Sequence, residues 1–158
     1  MELIYIFKLI HFIGASVLFG TGLGIAFFML MAHRTGHAGV IAVTARFVVI
    51  ADFIFTATAV VLQPISGWAL ADTIGLSPLE EPWILWSLGL YVLVGLCWLP
   101  VVFIQMRMRD LAQEAAVKAQ ALPPQYYRLF RIWFWLGWPA FLGVLGIFGL
   151  MIWQPRPF

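Results

Sequence analysis

The chain has 158 residues, of which 63% are hydrophobic and only 10% charged, with a mean hydropathy of +0.98. That composition excludes a water-soluble domain and makes lipid the solvent. The net charge of +2 is small and the basic residues gather in loops, so they read as topology signals and not as a nucleic-acid footprint.

Cys97 is the single cysteine, which rules out an internal disulfide and any Cys-x-x-Cys thiol pair or zinc site. The opening Met1-Glu2 lacks a basic n-region, and the first apolar run is too long for a signal-peptide core, so no cleavable export signal is expected.

Four apolar stretches follow in order, roughly 3–31, 40–63, 83–106 and 132–153. Each is long enough to cross about 30 Å of hydrocarbon at about 1.5 Å per residue. The expected fold is all-α, one integral membrane domain of four helices in a bundle. The first loop carries His33, Arg34 and His37. The second opens on Gln63-Pro64-Ile65-Ser66-Gly67 and continues through Asp72, Pro78, Glu80, Glu81 and Pro82. The third carries Arg107, Arg109, Asp110, Glu114, Lys118, Arg128 and Arg131 around Pro123-Pro124, and its first half reads as a helical extension along the membrane surface. Pro100 and Pro139 suggest matching kinks in the third and fourth spans.

Lysine and arginine set the orientation. The first and third loops, with their flanking helix ends, hold Arg34, Arg46, Arg107, Arg109, Lys118, Arg128 and Arg131, and the second loop holds none. Loops 1 and 3 are therefore expected in the cytoplasm and both termini outside, in a multi-pass membrane protein. Trp68, Trp83, Trp86 and Trp153 would form an outer aromatic belt, and Tyr126, Tyr127, Trp133 and Trp135 an inner one.

Glycines indicate close packing: Gly14, Gly20, Gly22 and Gly24 in the first span, with a Gly20-x-x-x-Gly24 motif, and Gly143, Gly146 and Gly149 in the fourth. The same glycines can alternatively leave room for a flat cofactor.

Polar side chains inside lipid are the functional candidates, because an ionisable group there is costly. His11 lies about two turns into the first span, with Lys8 three residues earlier on the same side. Asp52, Thr56 and Gln63 share a stripe on the second span that should look into the bundle, while Arg46 snorkels at its basic end. An imidazole in an apolar bundle suits haem iron, with Lys8 placed for a propionate and Gly14 for the macrocycle. No second histidine lies inside the spans, so haem b would need five-coordinate iron, a non-histidine ligand or a ligand from another subunit. Alternatively His11 donates a structural hydrogen bond to a neighbouring helix, or handles a proton or substrate.

The run Phe7-Lys8-Leu9-Ile10-His11-Phe12-Ile13-Gly14-Ala15, the glycines Gly20 to Gly24, Gln63-Pro64-Ile65-Ser66-Gly67-Trp68 and Gly95-Leu96-Cys97-Trp98-Leu99-Pro100 together resemble the bacterial predicted integral membrane proteins of domain-of-unknown-function family 2269. This resemblance covers nearly the whole chain and implies topology more than activity. The Lys-x-x-His start of the first span also resembles membrane protoporphyrinogen oxidase and copper-resistance membrane proteins, which implies haem or metal chemistry at His11. The former family uses a lysine in its third helix, and Trp83 to Cys97 contains none.

Two further readings compete. Met29, His33 and His37 follow at spacing four, a thioether and two imidazoles that would suit copper if the helix continued, or an ordinary loop if Gly36 ends it. Asp52, Thr56 and Gln63 can form a polar path in a proton-coupled transport subunit, with Asp52 paired to Arg46 or His11, or can simply tie helices together. Four spans are few for a transporter, so transport implies a homo-oligomer, and electron transfer implies a membrane redox partner. A non-catalytic structural subunit is the remaining alternative; no nucleophile has a base at recognisable spacing.

Overall fold

The computed structural model of the chain describes residues 2–155. Four helices run through it: α1 (Glu2–Thr35), α2 (Ala38–Thr73), α3 (Pro82–Val117) and α4 (Pro124–Trp153). All four are long and apolar enough to cross a membrane. At 34 residues, α1 is about 51 Å long at 1.5 Å per residue, so its ends stand beyond a hydrocarbon layer of about 30 Å. Leu3, Phe12, Phe28, Val61, Phe103 and Ile152 lie exposed on the outside of the bundle, a surface that only lipid would solvate.

Chain reversal follows local chemistry. Gly36 takes a φ of +66°, a conformation that costs a glycine nothing, and stops α1 after Thr35. Pro82 and Pro124 open α3 and α4, where a missing N–H goes unused. The helices are longer than their apolar runs: α2 continues ten residues past Gln63, and α3 continues to Val117, so the surface extension expected after residue 106 is the same helix carried on without a break. Pro100 and Pro139 both sit inside continuous helix.

The segment Gln63-Pro64-Ile65-Ser66-Gly67, expected as a loop, is helical. Proline at 64 removes the N–H that would bond the Val60 carbonyl. The Tyr91 hydroxyl of α3 donates to that carbonyl instead, which lets the helix pass through the proline. Five residues, Asp52–Thr56, form a π-helical turn that divides α2 into Ala38–Ala51 and Ala57–Thr73.

The main core lies at the end carrying loops 1 and 3, here the basic end: Ile25, Met29 and Ala32 of α1, Ile41, Ala45 and Val48 of α2, Met108, Leu111 and Ala112 of α3, and Tyr126, Phe130 and Trp133 of α4. A smaller cluster of Ala71, Trp83 and Ile84 closes the opposite, terminal end. α3 and α4 share the largest interface; the first half of α2 packs on α3, and its second half packs on α1. Phe19 of α1 reaches α4 at Phe141 and Phe148, with ring centroids 5.6 and 5.5 Å apart.

The α4 glycines serve packing, since a Cβ at Gly143 would stand 2.7 Å from Val94 Cγ2 and one at Gly146 would stand 3.0 Å from Leu90 Cδ1. Gly20, Gly22 and Gly24 have open space where a Cβ would stand, so close packing among the described residues does not require glycine there. Both expected aromatic belts split: Trp68, Trp86, Trp153, Tyr127 and Trp135 are exposed, whereas Trp83, Tyr126 and Trp133 turn inward and are buried. Indole and phenol groups carry polar atoms that a bundle can use, and three of these side chains are used that way.

Candidate functional site

Two polar constellations lie inside the bundle, joined by α2. The first surrounds His11. Its Nδ1 lies 3.0 Å from the Ser66 hydroxyl of α2. Ser66 gives its own proton to the Leu62 carbonyl at 2.7 Å, so its oxygen is free to accept from Nδ1–H.

Gln63 completes the arrangement once its amide is oriented to match donors with acceptors. Nε2 then donates to the His11 carbonyl at 3.0 Å and lies 3.1 Å from Nδ1, while Oε1 accepts from the Ala15 N–H at 2.8 Å. The His11 carbonyl and the Ala15 N–H are the two ends of a single helical turn, so the carboxamide clips onto the α1 backbone as a peptide group would. Gly14 makes room for it: a Cβ there would stand 3.0 Å from the end of the Gln63 carboxamide. The seat expected for a macrocycle at Gly14 is therefore the seat of Gln63.

Gly67 lies against the imidazole, and a Cβ there would stand 2.9 Å from His11 Cε1. The ring is thus held at Nδ1 by Ser66 and bounded by Gly67, while Gln63 holds the backbone turn that carries it. Nε2 has no hydrogen-bond partner among the described residues. Lys8 is exposed, one turn nearer the terminal end.

The second constellation surrounds Asp52, which is 3% exposed and begins the π turn. Trp98 Nε1 donates to Oδ1 at 3.1 Å. Gln105, 1% exposed, donates its Nε2 to Oδ2 at 2.8 Å and accepts from Trp133 Nε1 at 3.1 Å through Oε1. One carboxylate on α2 is thereby tied to two residues of α3 and, through Gln105, to α4. Among the described residues it has no cationic partner, and Arg46 is exposed, so the expected pairing with Arg46 or His11 does not form. Thr56, one turn along α2, buries its hydroxyl oxygen without a hydrogen-bond partner.

The expected Met29, His33 and His37 face does not assemble, because Gly36 ends α1 before His37. Met29 is fully buried in the core, and His37 is exposed beside the start of α2. His33 stacks on Phe130 with ring centroids 3.6 Å apart and bonds the Tyr126 hydroxyl at 3.3 Å. Among the described residues no group of three His, Cys, Asp or Glu side chains could hold a metal ion.

Sequence reasoning placed His11, Asp52, Thr56 and Gln63 inside the bundle but missed Ser66 as the partner of His11, and Trp98 and, through Gln105, Trp133 as partners of Asp52. Ser66 was hidden by the proline before it. The two tryptophans were hidden by their frequency at membrane interfaces, although an indole N–H next to a buried acceptor is the usual reason for burying one.

No curated protein and no solved structure matches the chain. The expected likeness to protoporphyrinogen oxidase and copper-resistance proteins is accordingly not shown. A family model does match, over residues 5–155, with the description predicted integral membrane protein (DUF2269). Four apolar helices and a match that spans almost all of the chain agree, and the protein belongs to the DUF2269 family of predicted integral membrane proteins.

Proposed function

We propose that this membrane protein binds haem b through His11 and acts in electron transfer or related membrane redox chemistry. One observation carries the reading: Nδ1–H of His11 is held by Ser66, while Nε2 has no hydrogen-bond partner among the described residues. A histidine that ligates a metal is commonly fixed in this way, with one nitrogen hydrogen-bonded and the other open. The chain offers one imidazole there, which fits five-coordinate iron or a second ligand from outside the chain. Lys8 is free to meet a propionate, and Gly14, filled by Gln63, is not a cofactor contact. When bound, haem supplies a one-electron couple; the protein's part is to fix the imidazole and exclude water.

In this reading both termini face the outside and loops 1 and 3 the cytoplasm of a bacterial inner membrane, supported by the arginines of those loops. A membrane redox partner or a second copy of the chain has an open surface at Gly20 and Gly24. Titration of purified apoprotein with haemin tests the proposal. Saturation at one haem per chain, abolished by His11→Ala, is the expected result; equal uptake by both proteins would remove His11 from the assignment.

A second reading, a proton-coupled transport subunit, is favoured by the buried Asp52, which has no counter-charge among the described residues. Asp52→Asn would then abolish transport and leave any visible spectrum unchanged.

A further inference from the structure

The basic end carries more positive charge than its own carboxylates neutralise. Asp110 and Glu114 are its two acidic residues, and each is engaged by a near neighbour in the chain, Arg109 of α3 at 2.7 Å and Lys118 just past the end of α3 at 2.6 Å. Arg34, Arg46, Arg107, Arg128 and Arg131 are exposed and, among the described residues, have no carboxylate partner.

Two of these arginines differ from the rest in their setting. Arg128 and Arg131, one turn apart on α4, line a shallow, wide-open surface groove with Ile132, Trp135 and Leu136, all five on one face of that single helix. The guanidinium groups come first along the helix and the apolar side chains follow over the next turn, towards the middle of the bundle. Trp135 is 68% exposed, an indole presented where membrane proteins place their interfacial aromatics. The opposite face of α4 is pinned: Tyr126, Phe130 and Trp133 are buried, His33 stacks on Phe130, and Trp133 bonds Gln105. The groove is therefore carried on a helix that is already fixed.

We propose that this groove binds an anionic glycerophospholipid, with Arg128 and Arg131 on the headgroup phosphate and the acyl chain lying along Ile132, Trp135 and Leu136. Residues three apart on a helix bring their side chains within about 5–6 Å at Cβ, close enough for both guanidinium groups to reach one phosphate. A free inorganic anion would use the two charges and leave the apolar half of the groove unused. A zwitterionic lipid would fill the apolar half but bring a cation beside two arginines.

The test uses the delipidated full-length protein in neutral detergent, with bound lipid counted by native mass spectrometry during titration with phosphatidylglycerol, phosphatidylcholine or inorganic phosphate. Phosphatidylglycerol should bind preferentially, and Arg128→Gln and Arg131→Gln should each weaken it roughly fivefold. Trp135→Ala should weaken it as well. The paired substitution Arg34→Gln with Arg107→Gln removes the same charge elsewhere at this end and should leave the binding nearly unchanged. Both arginines of the groove are exposed, so their variants should keep the wild-type circular dichroism. An equal loss in that pair and in Arg128→Gln combined with Arg131→Gln would reduce the effect to diffuse charge attraction and overturn the proposal. Equal binding of phosphatidylcholine, or saturation by inorganic phosphate at the concentration of the lipid, would overturn it too.

Discussion

Tyr91 of α3 donates its hydroxyl proton to the Val60 carbonyl of α2, the carbonyl that Pro64 leaves without a helical partner. A proline that would otherwise expose a backbone acceptor to hydrocarbon is thereby turned into a contact between two spans. Tyr91→Phe should lower stability by about 1 kcal/mol, towards the upper end of what interhelical hydrogen bonds contribute in membranes. In a Pro64→Leu background, where the N–H is restored, the same change should cost clearly less. Unfolding in mixed micelles measures both, and an equal loss in the two backgrounds would contradict the compensation.

The clamp at Gln63 depends on two glycines. Gly67→Ala places a methyl 2.9 Å from His11 Cε1 and should displace the imidazole, whereas Gly14→Ala places one 3.0 Å from the end of the Gln63 carboxamide and should dislodge it while leaving Ser66 on Nδ1. The reactivity of His11 Nε2 towards diethyl pyrocarbonate should fall in the first variant and change little in the second. The same response in both would show that the ring is not held as described.

The Asp52 network predicts a rescue. Both carboxylate oxygens accept N–H groups, from Trp98 and Gln105, so Asp52→Asn sets an amide N–H₂ against one donor and should cost about 1–3 kcal/mol. Gln105 could turn its amide to accept from the new N–H₂, but its nitrogen would then face Trp133 Nε1. Adding Trp133→Phe removes that conflict, so the double variant should lose less than the sum of the two single changes. Strict additivity in a double-mutant cycle would mean that Gln105 does not couple the two residues.

The orientation is open to chemical labelling. With Cys97 replaced by Ala, a cysteine at Ser77 in loop 2 should react with an impermeant maleimide added to intact cells. One at Gln120 in loop 3 should react only after the membrane is opened. The reverse pattern would invert the orientation proposed from the arginines.

Much of this architecture is legible in the residues. Hydrophobic length marks the four helices, and the stripe Asp52, Thr56, Gln63 marks the inward face of α2. The boundaries are less legible, because the polar segments after Gln63 and Met106 are helical through backbone bonding within each helix, to which hydropathy is blind. The misreading at Pro64 has a tertiary cause: its helical compensation comes from Tyr91, 31 residues beyond Val60. The Met29, His33 and His37 face fails for a local reason, a glycine with positive φ between the second and third members. Trp133 and Tyr126 look like interfacial aromatics in sequence, and only the packing of α4 on α3 and α1 shows that their polar atoms point inward.

The central claim is that His11 Nε2 is open for a haem iron. The visible absorption spectrum of the detergent-purified protein, oxidised and dithionite-reduced, tests it most directly when wild type and His11→Ala are compared. A Soret band in the wild type that shifts on reduction and is absent from His11→Ala is the predicted result. A wild type that is colourless, and stays colourless after haem is added back, would contradict it.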